Sequence, residues 1–94
     1  MSIGKTLVSG TFEIAVENTA EKITASSTLL SAAVIRAAEG NGAVVHVGPP
    51  ATVGATSFAL KAGESVNLDI IDIARFGVYG KAKDKIEFLG LAAV

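Results

Sequence analysis

The sequence predicts an all-β fold: a small antiparallel β-sandwich of seven or eight short strands, jelly-roll-like or closed into a barrel. Apolar and polar residues alternate over short segments, which is the period of a strand with one buried face. Turn-forming Gly, Pro, Asn and Asp residues recur about every eight to twelve residues, as they do in sandwiches and barrels. Strands and helices do not alternate along the chain, so a parallel α/β fold is not expected.

The strand segments follow one another with short connections. The predicted strands are residues 11–17, 21–25, 31–38, 43–47, 57–60, 65–70, 75–80 and 86–89. In the first of them, Phe12, Ile14 and Val16 share the inward face. The third is the ambiguous one, because its alanine content also suits a helix over 29–39. Its β-branched residues and the tight turn that follows favour the strand.

The connections contain residues that form turns. Residues 40–42, Gly-Asn-Gly, predict a β-hairpin that joins the strands on either side of them. The loop over 48–55 contains two prolines, which lack a backbone donor. Gly63 supplies the positive φ of a further turn. Residues 72–74 form a corner, and residues 81–85 a charged turn.

The chain fits one domain, with a flexible N-terminal arm over 1–10 and a single β-sandwich over 11–94. Residues 26–28 form a polar connection inside it. A chain of 94 residues buries only roughly 60–65% of the surface of its unfolded state, and such small domains usually depend on disulfides, metals or oligomerisation. With no Cys and one His, the first two are excluded within one chain. Half of the residues are apolar, so we expect a subunit interface.

Charge and hydropathy argue against nucleic acids and membranes as partners. The net charge is −1 and the eight basic residues are scattered, which is unlike a nucleic-acid interface. No apolar run approaches the roughly 20 residues of a membrane span. Residues 2–10 do not form a secretory signal. We therefore expect a product made in the cytoplasm, or a component of a particle assembled there.

No catalytic, cofactor-binding or metal-binding residue is predicted. His46 lies between Val45 and Val47 and is expected on the opposite face of their strand, without a catalytic partner nearby. Asp69 is expected on the outer face of its strand, and Asp72 is expected to cap the corner. The remaining acidic residues are expected on polar faces or in turns. They are Glu13, Glu17, Glu21, Glu39, Glu64, Asp84 and Glu87.

The other conspicuous residues have structural interpretations. The glycines at 40–42 and Gly48 precede no helix and no Gly-Lys-Ser/Thr, so they do not form a phosphate loop. Lys81, Lys83 and Lys85 form a solvated tip, with contact to an acidic protein surface as the alternative. Large aromatic side chains favour the core. The expected core aromatics are Phe12, Phe58, Phe76 and Phe88.

Several motifs also carry a resemblance to a known family. They are Asn-Thr-Ala at 18–20, Ala-Val-Ile-Arg-Ala at 33–37, Val-His-Val-Gly at 45–48, Phe-Ala-Leu-Lys-Ala-Gly-Glu-Ser-Val at 58–66, Phe-Gly-Val-Tyr-Gly at 76–80 and Asp-Lys-Ile at 84–86. In this order they resemble the small head decoration, cement or head-fibre-type proteins of tailed phages. The chain departs from that pattern at Gly77, at the pair Pro49 and Pro50, and at His46, where a Tyr is common.

The resemblance implies a non-enzymatic structural protein of the virion. Such a protein binds the major capsid protein on the outer capsid surface as a homotrimer and stabilises the head, without cofactor, nucleic acid, membrane or small-molecule substrate. Two alternatives stay open. One is a tail, neck or receptor-binding accessory module of a phage particle. The other is a host-side β-domain that binds glycans or proteins.

Overall fold

The computed structural model describes residues 5–24 and 28–93. Within them about half of the residues lie in strands, and the one helical element is a short 3-10 helix. The elements are β1 (Lys5–Glu13), β2 (Glu21–Lys22), β3 (Leu29–Ala37), β4 (Val45–Gly48), β5 (Phe58–Leu60), β6 (Ser65–Asp72), a 3-10 helix (Ile73–Arg75), β7 (Gly77–Tyr79) and β8 (Lys85–Ala93). The ambiguous third segment is a strand, as its β-branched residues indicated.

The strands form two four-stranded antiparallel sheets. The first sheet has the order β1-β8-β3-β6, and the second has the order β2-β7-β4-β5. The pairs β1·β8, β2·β7, β3·β6 and β4·β5 are those of one long hairpin that turns back between β4 and β5. Rolling that hairpin up brings β8 beside β3 and β7 beside β4. This is the topology of a jelly roll, and the predicted β-sandwich is confirmed; neither sheet closes into a barrel.

The core lies between the two sheets. The largest fully buried side chains come from strands of both sheets and from the residue that follows β1; they are Ile14, Leu30, Ile35, Val45, Val78 and Ile86. Phe12 and Phe88 pack against this core and Phe76 is buried within it, as predicted. Phe58 is an exception, because β5 lies at a sheet edge and leaves the ring 62% exposed.

The first strand differs from its prediction at both ends. The structure extends it back to Lys5, and it pairs with β8 from Lys5 opposite Ala93 to Glu13 opposite Lys85. Residues 5–10 are therefore strand and not a flexible arm, while residues 1–4 lie outside the described residues. The strand ends at Glu13, so Val16 falls in the following turn and is exposed. Residues 25–27, the end of the predicted second strand and the first two residues of the predicted polar connection at 26–28, also lie outside the described residues.

The predicted hairpin at 40–42 is wrong, because β3 and β4 belong to different sheets. The segment between them crosses from one sheet to the other. The side chain of Asn41 fixes this crossing: its Nδ2 donates to the carbonyl of Lys85 at 2.9 Å, and its Oδ1 accepts from the Lys85 amide at 2.7 Å. The Gly-Asn-Gly segment therefore forms a connection between the two sheets, and the start of β8 provides the hydrogen-bond partners of Asn41.

Asp84 also anchors this crossing, and its placement corrects the expectation of a solvated turn residue. Its side chain is buried, with 6% exposed. One carboxylate oxygen accepts from the amide of Gly42 at 2.9 Å and the other from the amide of Ala43 at 3.1 Å. A buried carboxylate is tolerated when hydrogen bonds replace its water. Asp84 thus joins the turn before β8 to the crossing between β3 and β4.

Two of the departures from the phage-protein pattern meet in the structure. Gly77 begins β7 and packs directly against the loop that contains Pro49 and Pro50. A Cβ added at Gly77 would lie 2.5 Å from the Cα of Pro50 and 2.9 Å from its nitrogen. The absence of a side chain at Gly77 is therefore what lets this proline loop lie close to the sheet.

Candidate protein-binding surface

The outer face of the first sheet is the surface that points away from the core. Because Val8 and Phe12 pack inward, alternation places Leu7, Ser9 and Thr11 of β1 on this outer face. The strand registers align its side chains in three rows. The rows are Leu7, Leu91 and Ser31; then Ser9, Leu89, Val34 and Asn67; then Thr11, Glu87, Arg36 and Ser65.

The first two rows contain an apolar stripe, which consists of Leu7, Val34, Leu89 and Leu91. Leu7 is 65% exposed and Leu89 is 44% exposed, while Val34 and Leu91 are half-buried. Single exposed apolar residues are ordinary, but a contiguous group across β1, β8 and β3 is a mark of an interaction surface. The sequence signal for it is β8, which carries apolar residues on both of its faces.

The third row ends the stripe with an ion pair. The Nε and Nη2 atoms of Arg36 donate to Oε1 of Glu87 at 2.9 and 2.7 Å. This hydrogen bond, and then the negative charge of Glu87, raise the pKa of Arg36 above its already high ordinary value. The pair is exposed and therefore adds little stability. Its importance for the surface is that it neutralises both charges beside the apolar stripe.

A shallow groove of about 460 Å³ lies between the stripe and the ion pair. Its lining combines leucine and valine side chains with hydroxyl groups and the two charges. The side chains that line it include Ser9, Thr11, Val34, Arg36, Glu87 and Leu89. Apolar residues at the centre with polar residues at the rim are the usual composition of a protein–protein interface.

The first sheet also ends in two long edges. β1, with nine residues, and β6, with eight, each pair on one side only among the described residues. The edges of the second sheet are β2 and β5, which have two and three residues. An unpaired strand edge presents a row of backbone donors and acceptors to which another strand can be added. Only the first sheet offers such a row at useful length.

His46 lies on the outer face of the second sheet, opposite in direction to Val45 and Val47, as predicted. Its Nδ1 is 3.0 Å from the carbonyl oxygen of Ser57, and its ring meets the ring of Tyr79 edge to face, with centroids 6.1 Å apart. These contacts explain His46 by local packing. It also lines an open depression of about 540 Å³ with Tyr79 and other polar residues.

The remaining predicted positions have structural surroundings. Asp69 is exposed on β6, and Asp72 caps the 3-10 helix through a hydrogen bond from the Ala74 amide at 3.1 Å, so the two do not form a carboxylate pair. The three lysines at 81, 83 and 85 are all exposed, as predicted. Residues 5–24 and 28–93 contain no group of three or more His, Asp and Glu side chains placed to hold a metal ion.

Over the same ranges, no helix has the length and apolar character needed to cross a membrane. No family model, curated protein or solved structure matches the chain.

Proposed function

We propose that this protein is a non-enzymatic structural protein that acts by binding other proteins through the outer face of its first sheet. The apolar stripe is the observation that carries the proposal. Four strands about 4.8 Å apart and about 3.3 Å long per residue give a face of roughly 20 by 30 Å. This is about 600 Å², close to the roughly 800 Å² that each partner contributes to a stable interface.

The specific role we propose is capsid decoration: a homotrimer that binds the major capsid protein on the outer surface of a virion and stabilises the head. The resemblance of the chain to phage decoration proteins supports this role. The motifs that carry it fall on framework elements of the jelly roll, since Val45–Gly48 is β4 and residues 58–66 run from β5 into β6. The resemblance therefore concerns the strands and turns that build the fold, and the apolar stripe is the surface that would bind the capsid.

The proposed role has a simple thermodynamic basis. A protein that binds assembled capsomers, and not separated ones, stabilises the assembly by RT ln(1 + [L]/Kd) at each site. At a free concentration 100 times Kd this is about 2.7 kcal/mol per site. Such a protein needs a rigid body and a complementary surface. The buried core and the paired strands provide the first, and the outer face of the first sheet provides the second.

A second candidate function is binding of a glycan or a receptor. The protein would then be an accessory module of a phage particle or a host-side β-domain. The depression on the second sheet favours it, because Tyr79 and His46 are accompanied there by Glu17, Asn18 and Lys81. Aromatic and polar side chains around an open site are suited to a sugar. However, the Tyr79 ring is half-buried and already packs edge to face with the His46 ring, which reduces the ring surface open to a sugar.

Binding to undecorated capsids tests the leading proposal. Shells assembled from the major capsid protein encoded in the same genome are mixed with increasing amounts of this protein and then sedimented. We expect saturable binding and a higher temperature of shell disruption as the sites fill. Failure to sediment with the shells at micromolar concentration, together with saturable binding on a glycan array, would instead establish the second candidate.

A further inference from the structure

We infer that Asn41 is a latent deamidation site, which Asp84 and Lys85 keep unreactive for as long as the crossing between β3 and β4 is closed. The inference goes beyond the proposed function and does not depend on it. Its starting point is that Asn41 is followed by Gly42, and that hydrogen bonds hold both residues to positions 84 and 85.

The reaction requires only this dipeptide and water. The backbone nitrogen of Gly42 attacks Cγ of Asn41 and gives up its proton, the Cγ–Nδ2 bond breaks, and Nδ2 leaves as ammonia. The new N–Cγ bond closes a succinimide ring, and water opens the ring at either carbonyl to give aspartate or isoaspartate. Glycine favours the attack, because it has no Cβ beside the nitrogen. Asn41 is therefore the most reactive asparagine of the chain, since Asn18 and Asn67 precede larger residues.

Every group that takes part in the attack is hydrogen-bonded in the closed crossing. The N–H of Gly42 donates to a carboxylate oxygen of Asp84 at 2.9 Å. Oδ1 of Asn41 accepts from the Lys85 amide at 2.7 Å, and Nδ2 donates to the Lys85 carbonyl at 2.9 Å. The Asn41 side chain cannot turn its Cγ onto the Gly42 nitrogen without breaking both bonds to Lys85. The attack therefore requires that the crossing opens.

Burial is not what protects this site. Asn41 is half-buried and Gly42 is exposed. Asn41 also lines an open depression of about 410 Å³, together with Lys83 and Lys85. Water therefore reaches the Asn41 amide while the crossing is closed. Protection depends on the hydrogen bonds, and the buried carboxylate of Asp84 is the positioning group that holds the attacking nitrogen.

The modified crossing does not close again in the same way. Aspartate at position 41 has no side-chain donor, so an oxygen atom would face the Lys85 carbonyl that now accepts from Nδ2. Isoaspartate also adds one carbon atom to the main chain. Both products place a negative charge beside the carboxylate of Asp84, which is bound at the following residue. Deamidation therefore makes a transient opening permanent. The depression that receives the charge shares Arg36 and Glu87 with the groove beside the apolar stripe.

Peptide mapping of aged protein by mass spectrometry measures the modification. Trypsin cleaves after Arg36 and Lys61, and the peptide between them contains Asn41 as its one amide side chain. We expect deamidation to be at least about tenfold slower in buffer than in urea, because one hydrogen bond to a charged group lowers the open population by about that factor. Asn18 and Asn67 report the background in the same digest. Equal rates with and without urea would overturn the inference.

Substitution of Asp84 tests the role of its carboxylate. Asp84→Ala should deamidate at least about tenfold faster than the natural protein in buffer. Asp84→Asn keeps one acceptor oxygen and therefore the fold, and its rate should lie between those two. Gly77→Ala is the matched control, because it destabilises the fold at the proline loop and leaves the three hydrogen bonds in place. An unchanged rate in Asp84→Asn, or an equal acceleration in Gly77→Ala, would refute protection by Asp84.

Asn41→Asp tests whether the change is one-way, because it reproduces one of the two products. The variant lacks the donor to the Lys85 carbonyl and should melt about 4–8 °C below the natural protein. Thermal denaturation followed by circular dichroism measures this difference. A Tm equal to that of the natural protein would show that the modified crossing closes as before, and the inference of a permanent opening would be wrong.

Discussion

Replacement of Asp84 by alanine is expected to destabilise the domain strongly. The buried carboxylate accepts hydrogen bonds from the amides of Gly42 and Ala43, and alanine would leave both donors without an acceptor. A hydrogen bond to a charged group contributes about 1.5–3 kcal/mol. Two such bonds give a loss of about 3 kcal/mol or more. For a domain of this size, each kcal/mol lowers Tm by about 4–8 °C, so Tm should fall by about 12–24 °C.

Thermal and urea denaturation followed by circular dichroism measure this loss. Asp84→Asn keeps one acceptor oxygen and should lose about half as much stability as Asp84→Ala. Asp69→Ala removes the same side chain from an exposed position on β6 and should change the free energy of unfolding by no more than about 0.5 kcal/mol. If Asp84→Ala melted at the same temperature as Asp69→Ala, Asp84 would not anchor the crossing between the sheets.

Three further substitutions test other parts of the structure by the same denaturation assays. Gly77→Ala should lower the free energy of unfolding by about 1–3 kcal/mol, because its Cβ would meet the backbone of the proline loop. Gly40→Ala is the control and should be nearly neutral, because open space surrounds Gly40. Equal stabilities of the two variants would refute the close contact at Gly77. Ala32→Gly should raise the free energy of unfolding by about 0.5–1 kcal/mol, because Ala32 has a φ of 50°, which strains any residue with a Cβ. A lower stability of this variant would contradict the strain. Arg36→Met should shift Tm by only a few degrees, since the Glu87 pair is exposed, and a large drop would contradict this.

The alternation of apolar and polar residues was enough to predict the strands and the sandwich. It reports which face of a strand is buried, and the burial of Ile14, Ile35, Val45 and Ile86 follows from it. The turn at Gly63 was also predictable, because its φ of 83° favours glycine. These are local properties, and local sequence determines them.

Contacts between distant residues explain the predictions that failed. The turn at 40–42 resembles a hairpin locally, but its hydrogen bonds go to Asp84 and Lys85, more than forty residues later. Nothing adjacent to Asp84 marks it as buried. Phe58 is exposed because β5 lies at an edge, and strand order is a property of the whole chain.

The candidate surface was predictable only in part. The sequence indicated more apolar residues than one face of each strand needs, and this favoured an interface. It did not indicate which face would carry them. That depends on the cross-strand registers, which bring Leu7 beside Leu91 and Leu89 beside Val34. The two long edges likewise follow from the rolled topology, which only the structure reveals.

The most direct test of the account compares capsid binding by two variants that each replace one exposed apolar side chain by a carboxylate. Leu89→Glu changes the centre of the apolar stripe, and Phe58→Glu changes a more exposed apolar residue on the second sheet, 62% against 44% exposed. Sedimentation with undecorated shells measures the Kd of each. The account predicts that Leu89→Glu abolishes saturable binding while Phe58→Glu binds as the natural protein does. Undiminished binding by a folded Leu89→Glu variant would contradict it.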